Sequence, residues 1–451
     1  MPTELTDLAD AIDARTAQGI AAGIGRLITS GDLEVGTRLP TVRALAGALE
    51  VSPTTVSEAW RMLASAGAIE PKGRLGTFVR NASGPGGGQR YRRVTEGPGH
   101  FTLDLSTGTP DPALLPDLGR LVAKVGKDHL TTSYLDPPVL PALEEALRAR
   151  WPFPPEALTV VDGAMDAIDR VAREVVRLGD RVVVEHPTFP PFLDLLELLG
   201  AEVIGVDQDD EGLSLEGLRA ALASKPSMVL LQPRAQNPTG TSTTPRRAKA
   251  IAAVLQSSGA VVLEDDHSGD VASSEPVSVG RWLPERTVHV RSFSKSHGPD
   301  LRLAAVGGAG EVIDAVGARR LIGPGWSSRV LQAVLLAMLD DPRTLATVTK
   351  ARDAYAARRL ALAGALRDRG IETGGTDGIN LWVPVPDEQA TLVALAAQGV
   401  GVAPGSPFQV RRDAPHVRVT IGRLSGPKAA TTTLAAQIAE LATSPPRSPS
   451  R

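Results

Sequence analysis

Residues able to do chemistry meet in the segment RSFSKSHGPDLRL, residues 291–303. Lys295 follows two hydroxyl side chains, Ser292 and Ser294, and Arg302 comes further along the same segment. An amine among hydroxyls and a guanidinium can form a Schiff base beside a site for an anion. Because a single lysine is more often a solvated surface residue, the segment alone leaves both interpretations open.

Three consecutive acids, Glu264, Asp265 and Asp266, end the very apolar run AVVLEDD. A carboxylate at the end of a buried strand costs free energy unless it is paired, so these acids favour a functional site. Asn237 in QNPTG and Phe189 in HPTFPPF follow other apolar runs. Taken singly, they are typical of a turn and of a core.

The segment DGAM places Gly163 and Ala164 at the start of a helix-period stretch. The free backbone N–H groups at a helix N-terminus can bind a phosphate. Taken alone, the motif is more often a tight turn from a strand into a helix.

The elements that must hold these side chains alternate from about residue 100 onward. Runs rich in β-branched residues, such as RVVVEH, SMVLL and AVVLED, are separated by helix-period segments such as AMDAIDRVAREVV. This alternation predicts an α/β fold with a mostly parallel sheet wrapped by helices. Ligands of such sheets lie beyond the carboxyl ends of the strands, where the polar clusters fall. From about residue 345 the pattern predicts a smaller α+β subdomain.

A separate module precedes this region. Apolar residues repeat at helical spacing from Val42 to Leu49 and from Val56 to Leu63, and Ser52 and Pro53 between them are typical of a helix N-terminus. GAIEPKGRLGTFV then predicts two short strands around a basic tip. Two helices joined by a tight turn and followed by a wing predict a helix-turn-helix that binds DNA, although a generic helical domain with a hairpin has the same periodicity.

The composition of the 451 residues excludes several kinds of site. Without cysteine there are no disulfides, thiolate metal sites or cysteine nucleophiles, and no histidine pair has the spacing of a zinc site. No apolar run is long enough to cross a membrane and the N-terminus is acidic, so we expect a soluble cytoplasmic protein that binds neither membrane nor metal. An excess of Lys and Arg over Asp and Glu between residues 15 and 97 favours a polyanionic partner for the first module.

A stretch rich in Gly, Pro and Arg, NASGPGGGQRYRRVTEGPG, predicts a linker between the two regions. We therefore place a DNA-binding domain at residues 1–80, a linker at 81–100 and the α/β domain at 101–445.

The first module resembles the winged helix-turn-helix of the GntR regulators over about residues 15 to 80, through LEVGTRLPTVRALAGALEVSPTTVSEAWRMLASAGAIEPKGRLGTFV. The resemblance implies that double-stranded DNA is contacted by Arg43, Ser52, Thr54, Thr55, Lys72 and Arg74. Pro53 and Ser57 stand where members of the family often carry arginine, so no arginine reads a base edge at those two positions.

The ordered series DGAM, HPTF, QNPTG, EDDH, SFSK and LRL resembles the pyridoxal phosphate site of fold-type I aminotransferases, over about residues 103 to 440. The resemblance implies that Lys295 forms the internal aldimine, that Asp265 pairs with the pyridinium nitrogen and that Asn237 donates to the phenolic oxygen. Phe189 then stacks on the ring. The cofactor phosphate is assigned by the same resemblance to Gly163, Ala164, Ser292, Ser294 and Arg302.

Two further roles follow from this resemblance. Tyr134 reaches the phosphate from the partner subunit, and Arg418 in HVRVTIGRL binds the α-carboxylate of an amino acid. Three positions depart from the family pattern. His267 stands where a tyrosine is usual and is a candidate for binding the cofactor, Ala164 replaces a hydroxyl residue, and Val139 replaces a glycine.

A GntR-type head joined to an aminotransferase-like body is the arrangement of the MocR subgroup of bacterial regulators. The resemblance implies a head-to-tail homodimer that binds promoter DNA and senses pyridoxal phosphate together with an amino acid or amine. Two alternatives remain. One is a working aminotransferase that carries a DNA-binding head, which Asn237 and Arg418 keep open; the other is a regulator with a cofactor-free scaffold, which Lys295 and Asp265 disfavour.

Overall fold

The structure is a computed structural model that describes residues 5–10, 12, 14–30, 32–65, 68–79, 89–95, 101–123, 125, 133–424 and 428–443. The chain divides into two compact units. The first comprises Met1–Gly108, Ala361–Thr373 and Leu381–Arg451, and the second comprises Thr109–Leu360 and Gly374–Asn380. Among the described residues, no helix is both long and apolar enough to span a lipid bilayer.

Helices and strands are numbered along the chain. The helices are α1 Leu5–Asp10, α2 Ala17–Ser30, α3 Val42–Ala48, α4 Pro53–Ser65, α5 Gln89–Thr95, α6 Leu118–Val122, α7 Pro141–Arg148, α8 Ala164–Val175, α9 Pro190–Leu198, α10 Leu215–Leu222, α11 Pro245–Leu255, α12 Gly310–Leu321, α13 Arg329–Asp340, α14 Pro342–Arg367, α15 Glu388–Ala397 and α16 Lys428–Thr443. The strands are β1 Ile69–Pro71, β2 Thr77–Val79, β3 Leu103–Leu105, β4 Ala157–Val161, β5 Arg181–His186, β6 Glu202–Asp209, β7 Gly212–Leu213, β8 Met228–Leu231, β9 Val261–Asp266, β10 Thr287–Ser292, β11 Ala304–Gly308, β12 Asn380–Pro384, β13 Val400–Pro404 and β14 His416–Thr420.

The head of the first unit is the predicted helix-turn-helix with a wing. Helix α3 begins after Thr41, whose side chain accepts a hydrogen bond from the Ala44 N–H. Helix α4 begins after Ser52, whose hydroxyl accepts from the Thr55 N–H at 3.1 Å. These two hydroxyl caps satisfy N–H groups that have no partner within the helices, and so they fix where α3 and α4 begin. The antiparallel strands β1 and β2 form the wing.

Helix α5 lies inside residues 81–100, the segment predicted as a linker. Its Val94 is buried, and the guanidinium of Arg93 donates to the Ser406 hydroxyl at 3.1 Å. The Gly and Pro content of the surrounding sequence led to the linker prediction, because two apolar residues in the helix-forming stretch QRYRRVT are too few to show a periodic pattern.

The smaller sheet has the strand order β12-β14-β13-β3. Strand β3 is parallel to β13, and β14 is antiparallel to β13. The sequence predicted this subdomain from about residue 345, but α14 runs unbroken to Arg367 and β3 comes from residues 103–105, far earlier in the chain. A three-residue strand is too short to show the alternation on which the prediction depends.

Helix α15 joins the α+β subdomain to the head within the first unit. Its Val393 is fully buried in one hydrophobic cluster with head residues such as Ile20, Ile24 and Leu45. Helix α2 approaches so closely at Gly25 that a Cβ atom there would lie 2.8 Å from Cγ of Gln389. The head and the subdomain therefore share a continuous apolar core.

The sheet of the second unit, over the described residues, contains eight strands in the order β4-β11-β10-β9-β8-β5-β6-β7. Strands β10, β9, β8, β5 and β6 are parallel, whereas β11 is antiparallel to both β10 and β4. Buried valines of β5, β8 and β9 pack with residues of α10 and α11. Because the central strands are parallel, their carboxyl ends lie on one edge of the sheet and bring the polar residues that follow them together.

Candidate functional site

Lys295 lies in the turn that follows β10 and is half-buried. Its Nζ is 3.2 Å from Nδ1 of His267, and the Ser268 hydroxyl is 3.3 Å from the same nitrogen. Burial, and then the nearby charge of Lys295, lower the pKa of His267 well below its usual value. The imidazole is therefore neutral at physiological pH, and its Nδ1 can accept a hydrogen bond from the lysine amine.

Asp265 is the acid of the EDD run that faces this lysine. Its Oδ2 accepts a hydrogen bond from Nε2 of Gln232 at 2.8 Å. Its Oδ1 is buried and has no hydrogen-bond partner among the residues that the structure describes. Burial raises the pKa of Asp265 to about 6, although the Gln232 amide and the Lys295 charge oppose this rise. The carboxyl group thus offers one buried oxygen to a donor that carries a proton.

The two flanking acids belong to the opposite face of β9, as the alternation of a strand requires. Asp266 forms an ion pair with Arg234 at 2.5 Å, and both side chains are almost completely buried. Glu264 is 2.8 Å from Nδ1 of His289 and accepts from the Ser278 hydroxyl at 2.6 Å. Of the three acids predicted as a functional cluster, only Asp265 belongs to the lysine site, and the other two are structural.

Asn237 is buried beside Asp265 and is fixed at two points. Its backbone N–H donates to Oε1 of Gln232 at 2.9 Å, and its Oδ1 accepts from Nδ2 of Asn380 at 3.3 Å. With Oδ1 held as an acceptor, Nδ2 is the end of the side chain that donates to an incoming oxygen.

The start of α8 offers an anion site. Gly163 has a φ of 101° and precedes Ala164, the first residue of the helix; as a glycine, it gives the first N–H groups of α8 no side-chain cap. The guanidinium of exposed Arg302 lies beside it, since a Cβ atom on Gly163 would be 3.2 Å from its Nη2. Ser292 ends β10, and its hydroxyl accepts from the Ser294 N–H at 3.4 Å. A helix N-terminus with a guanidinium suits a phosphate.

Phe189 precedes the first residue of α9. Its ring is half-buried and makes an edge contact with Phe192, the ring centroids being 5.4 Å apart. An edge-to-face contact of this kind favours the observed orientation of the Phe189 ring.

Arg418 and Tyr134 are the remaining predicted site residues. Arg418 belongs to β14 in the first unit, where it is buried, donates to the Ser106 carbonyl and lies over the Phe408 ring. Burial lowers its pKa to about 10, so it stays charged at neutral pH. Tyr134, in the second unit, is 88% exposed, and its ring centroid is 5.9 Å from that of Trp326.

The residues predicted to contact DNA lie on the head. Arg43 on α3 and Thr54 on α4 are exposed, and Thr55 is half-buried. The hydroxyls of Ser52 and Thr55 are 2.8 Å apart, so Ser52 caps α4 as well as being exposed at its start. Lys72 is exposed at the wing and is 3.4 Å from Glu70, and Arg74 belongs to the turn between β1 and β2.

Four residues around Lys295 and Asp265 escaped the sequence analysis: Glu185, Gln232, Ser268 and Asn380. Gln232 directly follows β8, so the rule that polar residues at strand ends form the site would have found it. Asn380 carries no such signal, because it stands at the beginning of a strand and 143 residues from Asn237.

Comparisons with protein families match both parts of the chain. Residues 102–435 match the family Aminotransferase class I and II, and residues 16–79 match the family Bacterial regulatory proteins, gntR family. The vitamin B6 salvage pathway transcriptional repressor PtsJ of Salmonella typhimurium is 37% identical over 423 residues, which are 92% of this chain and 96% of that protein. The HTH-type transcriptional regulator TauR of Rhodobacter capsulatus is 29% identical over 430 residues, covering 84% of this chain and 87% of that protein.

Solved aminotransferases share the fold of the body. The multiple substrate aminotransferase of Thermococcus profundus has a TM-score of 0.69 and 22% identity, covering 78% of this chain and 94% of that one. The kynurenine aminotransferase of Pyrococcus horikoshii, in complex with PMP, has a TM-score of 0.68 and 22% identity, covering 76% and 91%.

The residues around Lys295 fit pyridoxal phosphate. The buried Oδ1 of Asp265, to which no residue in the described part of the chain donates, suits a protonated pyridine nitrogen, and the start of α8 with Arg302 suits the phosphate. The chain belongs to the aminotransferase class I and II family and, because a GntR-type head precedes that body, to the MocR subgroup of the GntR-family transcriptional regulators.

Proposed function

We propose that the protein is a DNA-binding transcriptional regulator whose body binds pyridoxal phosphate covalently at Lys295 and senses an amino compound there. The observation that carries the proposal is the buried Oδ1 of Asp265. It lies in the site of Lys295 without a hydrogen-bond partner among the described residues, in a chain that also carries a DNA-binding head. When bound, pyridoxal phosphate supplies an aldehyde that condenses with amines and a ring that withdraws electrons.

Each side chain of the site binds a different part of the cofactor. Asp265 holds the pyridine nitrogen, Asn237 donates to the phenolic oxygen, and Phe189 packs on the ring. The phosphate is held by Arg302, by Ser292 and Ser294, and by the N–H groups of Gly163 and Ala164. Neutral His267 accepts a hydrogen bond from Nζ of Lys295 and so orients the amine, a role supported by their separation of 3.2 Å.

Visible absorbance tests the cofactor part of the proposal. Purified protein mixed with pyridoxal phosphate gains a band near the violet edge of the visible spectrum, because the Lys295 amine becomes conjugated to the ring. Lys295→Ala removes the band, whereas Lys249→Ala, which changes a lysine on α11 outside the site, keeps it. A wild-type protein without such a band would refute covalent binding.

The alternative function is that of a working aminotransferase with a DNA-binding head. It is favoured by Asn237 and by Arg418, a buried guanidinium that stays charged and can bind an α-carboxylate. To distinguish an aminotransferase from a regulator, keto-acid production is measured over many turnovers with a panel of amino acids. A regulator forms the covalent adduct but gives little more than one turnover.

The ligand that alters DNA binding is either pyridoxal phosphate itself or an amino compound. The Salmonella relative is named for vitamin B6 salvage, which favours pyridoxal phosphate itself as the signal. Affinity for promoter DNA is therefore measured for three samples: the protein alone, the protein with pyridoxal phosphate, and the protein with pyridoxal phosphate and an amino acid. A change at the second step assigns the signal to the cofactor, and a change only at the third assigns it to the amine.

For the head, we propose contacts to DNA through exposed Arg43 and Thr54, with Ser52, Thr55, Lys72 and Arg74 completing the surface. Arg43→Ala weakens binding to the promoter beside the protein's own gene and lowers the slope of affinity against salt by about one. Arg246→Ala removes the same charge from the body and leaves the affinity for DNA and its salt dependence unchanged. Equal binding by wild type and Arg43→Ala would remove Arg43 from the surface.

We also propose that the regulator acts in the cytoplasm as a head-to-tail homodimer. Support comes from apolar side chains on the second unit that lie open to solvent, including Leu135 at 94% and Ile322 at 89% exposure, near in sequence to exposed Tyr134 and half-buried Trp326. Such surfaces are typical of interfaces. Sedimentation of wild type and Leu135→Asp tests this proposal, since the variant shifts the protein toward monomer.

A further inference from the structure

Gln232 uses both ends of its side-chain amide within the site. Its Nε2 donates to Asp265 at 2.8 Å, and its Oε1 accepts the backbone N–H of Asn237 at 2.9 Å. Gln232 is itself only 1% exposed, and its backbone N–H donates to Oε2 of Glu185 at 2.9 Å. One buried amide therefore links the acid and the asparagine that face the cofactor ring.

Asn380 acts on the other end of Asn237. Its Nδ2 donates to Oδ1 of Asn237, and its own carbonyl oxygen accepts from the buried guanidinium of Arg359. The same guanidinium donates to the Thr239 carbonyl at 3.3 Å, so Arg359 ties the start of β12 to the turn that carries Asn237. Asn380 is 3% exposed, and its orientation is set by these contacts.

We propose that Gln232 and Asn380 are positioning residues that orient Asp265 and Asn237 toward the pyridine ring. The proposal rests on the cofactor binding proposed above. Gln232 stabilises the ionised form of Asp265, because a buried carboxylate that accepts a hydrogen bond holds its charge more easily. Asn380 holds the amide of Asn237 in the orientation that presents Nδ2, and not Oδ1, to the phenolic oxygen. Neither residue needs to touch the reacting atoms.

Two variants remove these contacts with little change in volume. Gln232→Met keeps the length of the side chain but removes the donor to Asp265. Asn380→Asp keeps the shape of the side chain, but a carboxylate can only accept hydrogen bonds. The Asn237 amide therefore turns its Nδ2 toward the new carboxylate and points Oδ1 at the phenolic oxygen. Each change is expected to raise the dissociation constant for pyridoxal phosphate about tenfold or more, the usual effect of losing a hydrogen bond to a charged group.

A second readout separates positioning from general stability. The phenolic oxygen holds its negative charge less well without a hydrogen bond from Asn237. Asn380→Asp is therefore expected to raise the pH midpoint, the pH at which the change of the visible absorbance band is half complete. The matched control is Gln332→Met on α13. Gln332 is equally buried and also bridges backbone groups, donating to Pro138 at 2.9 Å and accepting from Leu140 at 2.9 Å, but these groups lie outside the ring site. It is expected to lower the melting temperature without moving the dissociation constant or the midpoint.

The outcomes are distinguishable. If the wild-type protein shows no visible band with pyridoxal phosphate, the proposed function itself is refuted. If wild type shows the band and both variants keep its dissociation constant and pH midpoint, Gln232 and Asn380 have no positioning role. The same conclusion follows if Gln332→Met changes the two quantities as much as they do, because the effect then belongs to stability alone.

Discussion

Glu185 shows how burial sets the chemistry of a single residue in this protein. It lies at 2% exposure on β5, where its Oε2 accepts from the Gln232 N–H. Burial raises the pKa of Glu185 to about 8, and the hydrogen bonds from Gln232 and Gln236 only partly oppose this. The side chain is therefore largely a neutral carboxylic acid at pH 7, next to Asp265.

Because of this raised pKa, the stability of the cofactor-free protein depends on pH. The folded state binds the Glu185 proton more tightly than the unfolded state, so the stabilisation is complete below the ordinary pKa near 4.5 and is lost as pH rises through about 8. We therefore expect the melting temperature of wild type to fall relative to that of Glu185→Gln as pH rises between these values. Glu185→Gln mimics the neutral acid and lacks this contribution. The contribution of Asp265, which has the same sign, and those of His267 and His297, which have the opposite sign, are common to both proteins.

Thermal melts from pH 5 to 8 check this prediction. Glu197→Gln removes a carboxyl group from the exposed side of α9 and serves as the control, with a slope like that of wild type. A Glu185→Gln protein that loses stability with pH as steeply as wild type would show that Glu185 is already ionised at low pH.

At the scale of elements, one buried ion pair fastens the loop after β8 to the end of β9. Arg234 donates from Nε and Nη2 to Asp266, and from Nη1 to the Ser274 carbonyl at 3.1 Å. Burial favours the neutral form of Asp266, but Arg234 and then His289 outweigh it and lower its pKa. The pair holds β9 in the position that presents Asp265 on the other face of the strand.

Breaking this pair should be costly. Arg234→Met leaves the Asp266 charge buried without its partner and is expected to lower the free energy of unfolding by about 3–5 kcal/mol. Arg246→Met breaks an ion pair with Glu211 in which the arginine side chain is 82% exposed. Exposed pairs are worth at most about 1 kcal/mol, so this control should cost little. Chemical denaturation of both variants measures the difference, and equal losses would show that Asp266 is solvated or protonated in the variant.

The elements themselves were largely predictable from sequence. The runs RVVVEH, MVLL and VVLEDD became β5, β8 and β9, because buried parallel strands are apolar throughout. Lys295, Asp265 and Asn237 could be placed in one site because each lies at or shortly after the carboxyl end of a strand. The contact of Asn380 with Asn237 could not be predicted, since it depends on where a distant strand begins in the folded chain. The structural pairing of Asp266 was likewise missed, because three adjacent acids look alike until the two faces of β9 are known.

At the scale of the whole molecule, the head is anchored to the α+β subdomain through α2 and α15. Val393 of α15 is fully buried in the core of the head. Val393→Asp places an unpaired charge in that core, which costs several kcal/mol. We expect faster amide hydrogen exchange in α2 and earlier proteolysis before residue 101, while the visible band with pyridoxal phosphate persists. Ala397→Asp, on an exposed position of the same helix, should change neither.

Exchange rates in α2 that match wild type would show that the head does not depend on α15 for its packing. A band that disappears together with the head contact would show instead that the variant unfolds the body, and the two results are read from the same sample.

The close approach at Gly25 limits how this regulator can be rebuilt. Here any larger residue at position 25 would collide with Gln389, whose Cγ would lie 2.8 Å from the new Cβ. A grafted head would therefore need a matching α15, and a biosensor built from this chain should transplant the head and that helix surface together.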